Sequence, residues 1–160
     1  YTEKSPKKIQ LCQLIEEVLL FSAYQLQRDG IKVEKEFEDI DIAVRGFQSE
    51  IEQVILSLIL FSRDMMHDGG NITIAAFRSE TGNVHLSLAD TSRGMSKEKI
   101  RRLFDPYARD SESEDIHDSS LYIVKNIIED NGGKISVYSE EDKGTTFKIV
   151  FPYREEVTDE

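Results

Sequence analysis

The stretch DSESEDIHDSSLYIVKNIIEDNGG, residues 110–133, sets a helix start directly behind a run of carboxylates. The free N–H groups and positive dipole end of a helix favour anions. A chain that uses them for phosphate usually arrives through glycines, so that backbone N–H groups can close on the ligand. Here the approach is acidic and contains no glycine before Asp118. Asp118 or Ser119 can cap the helix, and an Asp118 carboxylate would then take the N–H groups a phosphate needs. The helix start would then be closed from within. Other reactive types carry less: His67, His85 and His117 lack metal-ligand spacing, and surface or strand positions account for them. Ser111 and Ser113, flanked by acids, are phosphate acceptors by composition alone.

Composition narrows the function classes. The 160 residues are 39% hydrophobic, enough for one domain with a true core. Lys+Arg number 20 against Asp+Glu 31, a net charge of -11. A nucleic-acid surface would need a basic stripe, so none is expected, and a polyanionic ligand needs local positive groups or a metal. The single cysteine, Cys12, cannot form an internal disulfide; it reads as a small apolar residue of the first helix, in a reducing cytoplasm. The longest apolar stretch, VILSLILF at 54–61, is far below the ~20 residues of a membrane span, and no signal peptide is visible. The chain opens on Tyr1 and has polar ends. The expected division is an incoming linker (1–10), the domain proper (11–153) and an acidic tail (154–160).

Periodicity supplies the elements. Leu11, Leu14, Ile15, Val18 and Phe21 or Ser22 line one face of a helix over 11–29. IKVEKEFE (31–38) alternates as a half-buried strand, with DIAVRG (41–46) as its short partner. A long apolar helix covers 47–66, and strands follow at 71–79 and 84–90, joined by a turn at 80–83. Ser96 caps a short helix, residues 107–117 form a polar loop, the helix from Asp118 follows, and strands at 134–139 and 145–151 close the chain. Hairpins rather than repeated βαβ units predict an α+β fold, with helices on one face of a mostly antiparallel sheet.

Three separated segments, IEQVILSLILFSRDMMHDGGNITI, VHLSLADTSRGMSKEKIRRLFDPY and LYIVKNIIEDNGGKISVYSEEDKGTTFKIVFP, together resemble the ATP-binding catalytic domain of bacterial sensor histidine kinases. The helix at 47–66 is most similar to the nitrogen-regulation type. That domain belongs to the superfamily shared with gyrase, mismatch-repair ATPases and a heat-shock chaperone. The resemblance covers nearly all of 8–153 and implies a two-layer α/β sandwich of the Bergerat type, with a mixed, mostly antiparallel sheet. It also implies Mg-ATP as cofactor and transfer of the γ-phosphate to a histidine outside this chain. The implied partners are the helical domain bearing that histidine and a response-regulator receiver domain, without nucleic acid or direct membrane contact.

The resemblance assigns adenine recognition to Asp90, Gly94 and Thr145, all retained, whereas the first glycine of that box is Ser92. Phe104-Asp105-Pro106-Tyr107 resembles a lid hinge. The metal and phosphate half departs from the family. Ser57 and Phe61 stand where the family carries two asparagines one helical turn apart, and Ile116, Asp118 and Ser120 replace the three glycines of the phosphate loop. A benzyl ring has no oxygen for magnesium, which demands near-octahedral oxygen ligation. A carboxylate ~8 Å from a phosphate opposes each charge by ~2 kcal/mol at an effective dielectric of ~20, before screening. Each glycine that served a positive φ costs ~1–2 kcal/mol to replace. The expectation is a kinase-type domain without Mg-ATP binding, acting as a regulatory interaction module and needing no cofactor. The alternatives are an active kinase domain and a sensor for a purine-type ligand.

Overall fold

Two periodicities divide residues 5–107 and 118–153, which the computed structural model describes, the side chains of 118–120 excepted. The elements in order are β1 (Lys7–Gln10), α1 (Leu11–Arg28), β2 (Ile31–Phe37), β3 (Ala43–Gly46), α2 (Gln48–Asp64), β4 (Gly70–Arg78), β5 (Val84–Asp90), α3 (Lys97–Arg102), α4 (Asp118–Asp130), β6 (Lys134–Ser139) and β7 (Thr145–Phe151). Five strands form one sheet in the order β2-β4-β5-β7-β6. β2 runs parallel to β4, and the remaining pairs are antiparallel. The fold is the expected α+β sandwich with a mixed sheet.

Strand alternation builds the inner face. Val84, Leu86 and Leu88 of β5 lie directly opposite Phe151, Ile149 and Phe147 of β7, and all six are buried. The helices lay their apolar stripes on this face. Ile15 of α1 and Ile55 and Leu58 of α2 close against Ile74, Leu86, Leu88, Phe147 and Ile149, leaving a gap of only about 10 Å³. α4 buries Leu121, Val124 and Ile128. It is tied to α2 by Asn131, whose Nδ2 donates to Glu50 Oε2 at 3.2 Å and to Ile127 O at 2.7 Å. On the outer face His85 stacks on Phe77, with ring centroids 4.6 Å apart and planes 5° from parallel. Among the described residues no helix is long and apolar enough to cross a membrane.

Two local expectations change. β3 does not pair with β2; it pairs antiparallel with β1, with Ile9 opposite Val44 and both buried. β1 carries a single inward residue and lies in the segment read as linker, too short for alternation to reveal it. β2 instead takes β4 as a parallel neighbour, reached by a crossover through α2, so the adjacent-hairpin default fails here. The α1 face also resolves: Ser22 is 3% exposed, whereas Phe21 is 84% exposed. α1 has no side-chain cap, but the Leu11 N–H donates to Ile42 O at 2.9 Å, so the ribbon supplies what a cap would.

Cys12 is buried, its Sγ 3.5 Å from Asp39 O. Burial pushes its thiol above the ordinary value of 9.0, and the Asp39 and Glu16 carboxylates add to the shift. The fold therefore holds the protonated thiol. That contribution is full below the unfolded-state pKa and is lost as pH rises through the higher folded value. A thiol reagent at pH 8 is expected to label native protein far more slowly than urea-unfolded protein, and equal rates would contradict the burial.

Candidate functional site

The inner row of the sheet turns polar at one end. The alternation that buries Val84, Leu86 and Leu88 also carries Asp90 inward, opposite Thr145. Asp90 is 7% exposed and Thr145 1%. Asp90 Oδ1 accepts the backbone N–H of Ser92 at 3.0 Å and that of Thr145 at 3.1 Å. Two donors on one oxygen fix the carboxylate plane. Its other oxygen, Oδ2, is buried with no hydrogen-bond partner among the described residues. Such an oxygen is costly unless something donates to it, and an amino group is a suitable donor.

A hydroxyl pair backs this carboxylate. Ser139 Oγ accepts the Met95 N–H at 2.8 Å, donates to Gly144 O at 3.0 Å and lies 2.8 Å from Thr145 Oγ1. With the Ser139 proton committed to Gly144, Thr145 is the donor of that last bond. Gly144 has φ +85°, and a Cβ there would lie 2.1 Å from Asp90 O. Gly94 is equally confined: φ is +69°, and a Cβ would lie 2.0 Å from Glu140 O. Asp90, Gly94 and Thr145 are thus brought together. Ser92 is buried, its Oγ accepts the Gly94 N–H at 3.2 Å, and it needs no positive φ. Replacing the first glycine of this box therefore carries no backbone strain. Ser139 was not singled out in the sequence; its signal is a hydroxyl in the inward register of Ile135 and Val137.

α2 faces the same row. Phe61 is 4% exposed and meets Phe147 edge to face, with centroids 5.6 Å apart and planes at 85°. Phe147 is the next inward residue after Thr145, so the ring stands one strand step from the polar end. Ser57, one turn earlier, is half-buried. The position to which the resemblance assigns a ligand oxygen for magnesium holds hydrocarbon packed on hydrocarbon, which offers that metal no donor. At the Asp90 end the chemistry differs, since Oδ2 is a buried acceptor to which an N–H group could donate. Of the phosphate-loop positions, Ile116 lies outside the described residues. Asp118 and Ser120 begin α4 with side chains outside the description, so the cap assigned to Asp118, and the acidic loop before it, lie there too. In the hinge segment, Tyr107 N donates to Asp105 Oδ1 at 2.8 Å, and Lys125 Nζ stands 5.7 Å from the Phe104 ring centre.

Residues 46–155 match the family model for histidine kinase-, DNA gyrase B- and HSP90-like ATPases. The chain belongs to this family. It is 32% identical over 144 residues to sporulation kinase A of Bacillus subtilis, covering 90% of this chain and 23% of that relative. It therefore spans less than a quarter of that protein. The catalytic domain of histidine kinase ThkA superposes with a TM-score of 0.82 at 24% identity, covering 92% of this chain and 95% of that one. ThkA in complex with response regulator TrrA aligns with a TM-score of 0.77 at 23% identity, covering 95% of this chain and 43% of that one. The domain is thus of the histidine-kinase ATP-binding type.

Removing the Asp90 carboxylate strands two buried N–H groups, each costing ~1–3 kcal/mol. Asp90→Ala is expected to lower stability by about 2–5 kcal/mol in urea unfolding, and Asp90→Asn, which keeps an acceptor oxygen, by clearly less. Equal losses would mean that the two donated bonds carry little.

Proposed function

We propose that this chain is the ATP-binding-type domain of a two-component sensor kinase that no longer binds Mg-ATP productively and signals through contacts. The observation that supports it most is Phe61, buried against Phe147 at the position where the family places an oxygen ligand for magnesium. The metal in such sites supplies several kcal/mol of phosphate charge stabilisation, which a benzyl ring cannot replace. No residue of this chain is assigned a catalytic role: the positions concerned hold Ser57 and Phe61. Asp90, Gly94 and Thr145 remain as an adenine-reading half, and Ile116, Asp118 and Ser120 replace the phosphate loop. Its contacts are the helical dimerisation domain of the same protein and a response-regulator receiver. A partner of the latter kind is named for ThkA, solved with response regulator TrrA. The place is the cytoplasmic part of a sensor, with 1–10 as the incoming segment whose end, β1, already packs into the domain, 11–153 as the rest of the domain and 154–160 as an acidic tail.

One observation favours a second reading. The unpartnered Asp90 Oδ2 suits a neutral purine-type ligand held without metal or phosphate. Titration with ATP and with adenosine, each with and without Mg²⁺, separates the readings. Signalling by contact alone predicts that neither ligand binds. The purine reading predicts adenosine binding that ignores magnesium and is abolished in Asp90→Ala variants that remain folded. Micromolar ATP binding that requires magnesium would overturn both and make the domain an active kinase module with unfamiliar ligands.

A further inference from the structure

The side of α1 turned away from the core is apolar where a surface helix is ordinarily polar. Leu20, Phe21 and Tyr24 are 80%, 84% and 75% exposed, so no described element covers them. Residues three and four apart on a helix are neighbours, which sets Tyr24 beside both Phe21 and Leu20 and joins the three into one patch. Single exposed apolar residues are ordinary on a surface, but a contiguous group of this size marks a contact. The patch lies between two fixed flanks. On one side Glu16 bridges Lys35 of β2 at 2.7 Å, and on the other Gln25 accepts from Arg63 of α2 at 2.9 Å.

Opposite charges bracket the patch. Glu17 lies one turn before Phe21 and Arg28 one turn after Tyr24, and both are exposed. Glu17 accepts Gln13 Nε2 at 3.4 Å, and neither Glu17 nor Arg28 is in an ion pair among the described residues. The positions 17, 21, 24 and 28 step by four, three and four, the spacing of a coiled-coil seam. This seam is complementary to its own reverse. About a two-fold axis between residues 22 and 23, Phe21 meets Tyr24 of a second copy twice, and Glu17 meets Arg28 at both ends. A parallel pairing would instead oppose Glu17 to Glu17 and Arg28 to Arg28. The chain carries a net -11, so two copies repel over much of their surface, whereas this seam is balanced (−1 + 1).

We propose that this face of α1 docks a second copy of the same chain, α1 against α1, antiparallel and two-fold symmetric. A large side chain buries roughly 150–250 Å², so these three offer about 400 Å² per copy and about 800 Å² from both. That is the low end for a specific contact, and it gives a reversible dimer with Kd on the order of 100 μM. In a parent protein already paired through its helical domain, tethering supplies about millimolar effective concentration, enough to populate such a contact. Only that consequence rests on the proposed function, and none of the residues belongs to the Asp90 end.

The test is sedimentation equilibrium of this chain from about 5 to about 500 μM, where a single reversible monomer–dimer step is expected. Phe21→Glu, at a position already in solvent, is expected to leave the chain monomeric throughout with the melting temperature of dilute protein unchanged. Glu17→Arg and Arg28→Glu place like charges at both ends of the seam, and each is expected to weaken the dimer on the order of tenfold. The double reversal restores the opposite pairs and is expected to bring Kd back to within about threefold of the parent chain. Circular dichroism of each dilute variant verifies its fold. A chain that stays monomeric at every concentration would overturn the proposal and leave the face to a partner of another sequence. A dimer that survives Phe21→Glu, or single reversals that change nothing or are not repaired by the double reversal, would overturn it as well.

Discussion

The edge of the Phe61 ring against Phe147 joins the helical layer to the sheet where the buried row changes from apolar to polar. One strand step further on, Thr145 and Asp90 face each other across β7 and β5. Hydrocarbon core and polar site are therefore one continuous surface, governed by the two-residue period of the strands. A polar residue at position 61 would face into this packing, and an aromatic one completes it. The constraint that closes the core at Phe61 is the same one that removes an oxygen from the site beside it.

Asp90 shows how the polar end holds together without a ligand. One carboxylate oxygen collects the N–H groups of Ser92 and Thr145, and so fastens the loop after β5 to the start of β7. Its structural duty is met by that oxygen alone. The other is buried without a hydrogen-bond partner among the described residues. Ser139 and Thr145 stiffen the support from behind.

Much of this was legible in the residues. β5 and β7 alternate cleanly, so their inward rows, and Asp90 at the end of one, follow from period two. β1 escaped because KKIQ has a single apolar residue and a four-residue strand leaves no pattern to read. The partner of β2 was misassigned because sequence adjacency favours a hairpin, whereas burying Ile9 on Val44 favours the ribbon and frees β2 for β4. Phe61 could be placed in the core from its type alone, but its neighbour Phe147 is set by the crossing of α2 over β7, which no local pattern encodes.

The central claim, carried by the proposed function, is that the magnesium-ligand position on α2 is closed by the packing of Phe61 on Phe147, while Asp90 keeps a buried acceptor without a partner among the described residues. A crystal structure grown with magnesium and a nonhydrolysable ATP analogue tests it directly. The account predicts that Phe61 stays edge-on against Phe147 and that no metal bridges phosphate oxygens beside α2. A metal held there by the triphosphate, with the Phe61 ring displaced from Phe147, would contradict it.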